Sequence, residues 1–386
     1  MQNFFRFIFI LTIFSINAGI AQNFVFNKTS HEDSTAHQTN KSFQTVNSKH
    51  EKKSLPEKKI NPTRHSLAFK NGHLEDDNLS YHQNQFEPIS LNYKLKYENS
   101  LKNIDQYQMI DGTYWRTESN INSTRLYSVL GTMLAIDLIA YNMQRIVWRQ
   151  NRLTGFHSIN WWVDVHNYQR MDKIGHFQDA YFVSDLTAKA YRWCGLSGES
   201  SVWFGALTGW AWMLEIEISD GLFADWGFSW LDLSSNTIGS GFFVLQHYFP
   251  EVLGGIHPKF SYHVSPAWRQ KKYVKDPRAF IEDYEGMTFW LAINPYHYFP
   301  DSWKKSYPKW LTPLGIAVGY GAADIAPTPQ FGEPIWYFSL DLDLRKIPIG
   351  DDSGLFKFIK SELNFLKFPL PTVRVTHGEV WYGLYF

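Results

Sequence analysis

The alternation of apolar and polar positions sorts the chain into strand-like and helix-like stretches. In "ISLNYKLKYE", Ile89, Leu91, Tyr93, Leu95 and Tyr97 alternate with Ser90, Asn92, Lys94 and Lys96. A period of two is that of a half-buried strand. The same period governs the chain beyond Pro250. Leu314, Ile316, Val318 and Tyr320 stand against Gly315, Ala317, Gly319 and Gly321, and Trp336, Phe338, Leu340, Leu342 and Leu344 against Tyr337, Ser339, Asp341, Asp343 and Arg345. Each run predicts an amphipathic strand with one apolar face. An amphipathic stretch over 355–365 predicts a helix within this region.

Between these regions the pattern is helical. "LYSVLGTMLAIDLIAYNMQRIVW", residues 126–148, has the length to cross a bilayer, but Asp137, Gln144 and Arg145 interrupt it. A charge near the centre of a span costs about 2.5 to 3.5 kcal/mol, so a buried or interfacial helix is expected. Further helices are predicted over 172–193, 201–219 and 230–248, with loops at 195–200 and 221–229. The expected fold class is α+β. A four-helix membrane-associated unit over 119–250 precedes an antiparallel β region over 251–386.

The chain closes on "EVWYGLYF", with Val380, Tyr382, Leu384 and Phe386 on one parity, which resembles the closing strand of outer-membrane β-barrels. Single-chain bacterial barrels have at least about eight strands, and the pattern yields five or six. A sheet packed on the helices is therefore expected, with a partial or small β-barrel as the alternative. Upstream, 87–118 reads as a strand-containing lead-in. Residues 22–86, rich in Ser, Asn, His, Lys and Gln, read as a disordered polar leader. Residues 1–21, with Arg6, an apolar run over 7–16 and small residues at Gly19 and Ala21, read as a signal peptide.

Composition narrows the class. Lys plus Arg and Asp plus Glu number 37 each, which argues against nucleic acid as a partner. Aromatics make up 17% of the residues and include 16 Trp, and such rings favour membrane interfaces as well as cores. A membrane is thus the expected partner of an exported envelope protein. Protein partners are not legible. The single cysteine, Cys194, supplies neither a disulfide framework nor an amino-terminal lipidation site and reads as a small buried hydrophobe.

Ionisable groups recur at spacings that converge on a helix surface. "MDKIGHFQDAYF" places Asp172 and Lys173 four and three residues before His176. In "SVWFGALTGWAWMLEIEISDGL", Gly205, Gly209, Met213 and Glu217 recur every four residues and Asp220 follows, a small-residue stripe that lets another helix approach closely. In "WGFSWLDLSSNTIGSG", Ser229 is a natural N-cap with Asp232 at N3, and Asn236 and Gly239 follow on the same face. Taken singly, each group reads as an ordinary helix-end residue. Surrounded jointly by Trp, Phe, Leu and Ile, they are expected to be buried and mutually satisfied. The predicted cluster is Asp172, Lys173, His176, Glu217, Asp220, Ser229, Asp232 and Asn236.

The run over 172–239 resembles the YfiM-like family of predicted periplasmic lipoproteins and, distantly, VanZ-like membrane proteins with their DK-H, acid, D-N-G ordering. Asp172, Lys173, His176, Phe177, Glu217, Asp220, Gly227, Phe228, Ser229, Trp230, Asp232 and Gly239 carry the match, over about 70 of the 386 residues. It implies an envelope location and no established activity. This chain departs from the family in lacking a lipobox cysteine, in placing Asn236 where some members have an acid, and in adding the β-rich region.

Two roles fit the cluster. It could hold the helices in register within an accessory or structural envelope protein. Alternatively, His176, Glu217, Asp220 and Asp232 could bind a divalent cation for a hydrolase or transferase acting on envelope lipid or glycan. One imidazole among oxygens favours Mg, Mn or Ca over Zn. No G-x-S-x-G, HExxH or phosphate-binding Gly loop is present, so enzyme status stays open. His166, ten residues before His176, is not expected to be a ligand, and Trp161 and Trp162 mark packing or an interfacial belt.

Overall fold

The computed structural model of the chain describes residues 119–145, 152–270, 272, 282–325, 329–376 and 379–385. The expected signal peptide, polar leader and strand at 89–97 lie outside the described residues. The helical half comprises α1 (Ser123–Met143), α2 (Trp161–His166), α3 (Met171–Trp193), α4 (Gly198–Asp220) and α5 (Trp230–Tyr248). Asn122, Asn160, Ser197 and Ser229 cap α1, α2, α4 and α5 by accepting backbone N–H groups that the first turn leaves unpaired.

Helices α3, α4 and α5 pack around Tyr181, Ala188, Val202, Ala206, Phe243 and Val244. Their backbones approach closely where glycine permits it. A Cβ on Gly209 would lie 2.8 Å from Ser184 N, and one on Gly239 would lie 2.2 Å from the Phe177 carbonyl oxygen.

Helix α1 departs from the expected bundle. It buries only Leu130 and Tyr141, and 11% of its most apolar window is covered. It is tied to the end of α3 through Asn120 N–H to Gly195 O at 2.7 Å, Asn122 N–H to Cys194 O at 2.8 Å, and the Arg125 guanidinium over Trp193 at 4.9 Å. Three helices are therefore packed together, with α1 mostly outside. It is the one described helix long and apolar enough to cross a membrane, by length and composition.

The other half is an antiparallel meander of β1 (Ile256–Tyr262), β2 (Met287–Ile293), β3 (Leu314–Ala323), β4 (Glu333–Leu342), β5 (Leu370–Thr376) and β6 (Glu379–Tyr385), with α6 (Gly354–Leu363) between β4 and β5. The order runs from β1 to β6 without closure, so among the described residues the sheet is open. It is nevertheless strongly curled. Lys259 of β1 reaches Asp341 of β4 at 2.8 Å, and Trp290 of β2 packs on Tyr337 of β4 with ring centroids 5.5 Å apart.

The curl decides which parity is inside. Lys259, Ser261, Ala292, Ala317, Ser339 and Asp341 are buried on the concave side, while Leu291, Ile316, Val318, Trp336, Phe338 and Leu340 are exposed on the convex side. The apolar face expected to seal a core thus points outward. The concave side has room for small residues only around Trp290, where a Cβ on Gly319 would lie 2.6 Å from the indole. One end of the convex face is covered: Met287, Phe289, Ala322 and Ile325 pack with Met171 at the start of α3. Lys189 of α3 also bonds Ser361 at 2.7 Å and Glu362 at 2.6 Å in α6.

Candidate functional site: a buried charge network

The site begins with an unusual turn. Tyr168, Gln169 and Arg170 have φ values of 50°, 51° and 66°, a left-handed region that costs non-glycine residues about 1–2 kcal/mol each. Tertiary contacts hold it. Tyr320 donates to the Gln169 carbonyl at 2.7 Å, the Gln330 amide to Asn167 at 2.6 Å, and Tyr168 stacks on Tyr284 at 4.3 Å. The turn folds α2 back so that Asp164 meets the first turn of α3.

A second device places α5. The Phe228 N–H bonds His157 O at 2.9 Å and Ile159 N–H bonds Phe228 O at 3.1 Å, zipping the loop before α2 onto the loop before α5. Gly227 is needed there, since a Cβ would lie 2.5 Å from Ile159 N. Ser229 follows at once. Its hydroxyl accepts from Asp232 N–H at 2.9 Å and donates to the Asp164 carboxylate at 2.9 Å, while its own N–H donates to Glu217 at 3.2 Å.

Lys173 is the hub. Its Nζ lies 2.5 Å from Asp164, 3.0 Å from Asp172 and 2.9 Å from Asp232. His176 extends the chain of charges, with Nδ1 at 3.3 Å from Glu217 Oε1 and Nε2 at 4.0 Å from Asp232. Nδ1 also lies 3.1 Å from Asn236 Oδ1. A single N–H cannot serve both acceptors well. Glu217 Oε1 is left buried with charge attraction but no hydrogen bond, and Asn236 Nδ2 is likewise unsatisfied.

The structure thus brings together Asp172, Lys173, His176, Glu217, Ser229, Asp232 and Asn236 from three helices. Asp220 is buried one turn beyond Glu217, where its charge acts on that carboxyl. It stays outside the sets whose ligand atoms lie within 4.8 Å of one another, which are His176, Glu217 and Asp232, and Asp164, Asp172 and Asp232. His166 is occupied in its own helix, bonding Trp162 O at 2.7 Å and stacking on that indole. Cys194 is a buried free thiol. Sequence reasoning missed Asp164, which is 2% exposed. Its only local signal is an acid between two valines just ahead of the Asp172 motif.

Burial and charge oppose each other here. Burial by itself would hold the His176 imidazole neutral, but Asp232, Glu217 and Asp172 raise its pKa to about 9. Burial pushes Glu217 up to about 8 against the pull of His176, and Asp172 up to about 6 against that of Lys173. Lys173, despite burial, is held above the usual lysine range by Asp172 and Asp232.

These shifts fix a sign. His176 and Glu217 both bind protons more tightly in the folded chain than at their ordinary values of 6.5 and 4.5. The imidazolium's stabilisation is complete below 6.5 and is lost as pH rises through about 9, while ionising Glu217 opposes folding up to about 8. Thermal melts are therefore expected to show a falling Tm from pH 6.5 to pH 8, with a weaker fall in Glu217→Gln. A Tm that rises over that window contradicts the network.

No curated protein and no solved structure matches the chain. Residues 160–248, which span α2 to α5 and so the whole network, match the model of a family described as predicted periplasmic lipoprotein (DUF2279), and this supports an exported location, periplasmic or associated with the outer membrane.

Proposed function

We propose that this chain is an accessory or structural component of the envelope, seated at the outer membrane, in which the charge network holds the helices in register. The observation that carries the reading is the outward apolar face of the curled sheet, where Ile316 is 54% and Phe338 51% exposed. In water such a face is a liability, whereas against acyl chains it is the expected arrangement. Trp303 and Trp310, both strongly exposed, suit an interfacial belt. The ordering of Asp172, Lys173, His176, Glu217, Asp232 and Gly239 supports a YfiM-like and, distantly, VanZ-like kinship.

Seating is tested by flotation with phosphatidylethanolamine and phosphatidylglycerol vesicles. The wild-type chain is expected to float, and an Ile316→Lys/Phe338→Lys variant to lose about tenfold or more of the bound fraction, since lysine on a lipid-facing strand is costly. A wild-type chain that stays soluble without detergent at low and high salt overturns the seating.

A second reading is favoured by the unbonded Glu217 Oε1 beside His176 and Asp232. A divalent cation there, Mg, Mn or Ca, would satisfy that oxygen and equip the site for hydrolysis or group transfer on envelope lipid or glycan. Elemental analysis of the detergent-extracted protein separates the readings. Stoichiometric metal lost in His176→Ala, with the fold retained, supports the second; large destabilisation without metal supports the first.

A further inference from the structure

A cavity of about 410 Å³ lies between α3, α4 and strands β1 and β2, within the roughly 300–1,000 Å³ of small-molecule sites. Its apolar walls include Phe182, Met213, Ile216, Phe260 and Phe289, while Asp172, His176 and Asp179 stand on the α3 side. Asp179 is an exposed acid whose residue lines this cavity. Among the described residues no hydrogen bond to its carboxylate is formed.

Charge selects the occupant. Asp172 and Asp179 are the acids of the lining and His176 its one cation, while Lys173 outside the lining is shared among Asp164, Asp172 and Asp232. On the lining, carboxyl groups outnumber cations by two to one. We propose that the cavity holds a single-chain amphiphile with a primary ammonium head, its chain along the phenylalanine walls and its head against Asp179 and Asp172. An anionic head would deepen the charge excess, a neutral one would leave Asp179 with no ion-paired partner beyond the field of His176, and a bare metal ion would leave the apolar volume unfilled. The ligand is either a free long-chain amine or an ethanolamine-headed lysolipid. The inference does not rest on membrane seating, since a chain that fails to float with vesicles can still bind the amine.

The test is native mass spectrometry of the full chain, released from a neutral sugar-headed detergent after incubation with dodecylamine, lysophosphatidylethanolamine, dodecanoate or lysophosphatidylglycerol. One amine-headed molecule is expected per chain, retained at least about tenfold over the anionic probes, and the better retained amine identifies the source. Ile216→Trp, which fills the cavity, is expected to abolish retention. Asp179→Asn is expected to erase the preference for amine over carboxylate while the chain stays folded, with a Tm no lower than that of the wild-type chain. Equal retention of all heads, retention of none, unchanged retention in Ile216→Trp, or a stoichiometric divalent ion that excludes the amine overturns the proposal.

Discussion

Replacing Lys173 by alanine is expected to lower the unfolding free energy by about 3–5 kcal/mol, the usual consequence of removing one partner from a buried ion pair. Its Nζ is within 3.0 Å of Asp164, Asp172 and Asp232 at once, and those carboxylates are 2%, 14% and 11% exposed. Taking the cation away leaves three acids facing one another with His176 as the nearest counter-charge. Protonation relieves part of the repulsion, and Asp172, already held up at about 6, is the natural group to take the proton. The variant should therefore recover stability at acidic pH more steeply than the wild-type chain. Denaturant unfolding in mild detergent measures both effects. A loss below about 1 kcal/mol would mean that Lys173 is an ordinary surface cation.

The second large effect is steric. Gly239→Ala is expected to destabilise by about 3 kcal/mol, the upper end of the range for overpacking. The added methyl would lie 2.2 Å from the Phe177 carbonyl oxygen and 3.1 Å from the Ala180 Cβ. A backbone carbonyl inside α3 cannot swing aside, so α5 must move away and carry Asp232 and Asn236 with it. Gly241 on the same helix is the control, because a Cβ there meets nothing within 4 Å. Gly241→Ala should be neutral or stabilising by up to about 1 kcal/mol from helix propensity. Paired melts of the two variants separate close helix approach from any general intolerance of α5 to substitution.

Much of the helical unit was legible because its signals are local. The four-residue recurrence of Gly205, Gly209, Met213 and Glu217 implies close helix packing whatever surrounds it, and the structure sets Gly209 against Ser184 of α3. Ser229 followed by Asp232 announces its own cap, which forms at 2.9 Å. What escaped notice depends on distant partners. Asp164 joins the network only because Tyr168, Gln169 and Arg170 adopt a left-handed turn, and no glycine advertises it. The strands β3 and β4 alternate as their sequence predicts, but alternation identifies an apolar face without saying where it points. That is set by the curl, which brings Lys259 to Asp341. Helix α1 has the composition of a buried element, yet among the described residues little of it is covered.

The network explains why an apolar helix opens with Asp172, Lys173 and His176. Each charge is tolerable in the interior because the others are within reach, a statement about coupling rather than about any residue alone. A double-mutant cycle on Lys173→Met and Asp232→Asn, read by denaturant unfolding at neutral pH, measures that coupling directly. The two groups are 2.9 Å apart, and the double variant is predicted to be more stable than the sum of the single losses by about 1.5 kcal/mol or more. Losses that add to within about 0.5 kcal/mol would show the groups to be independent and contradict the account.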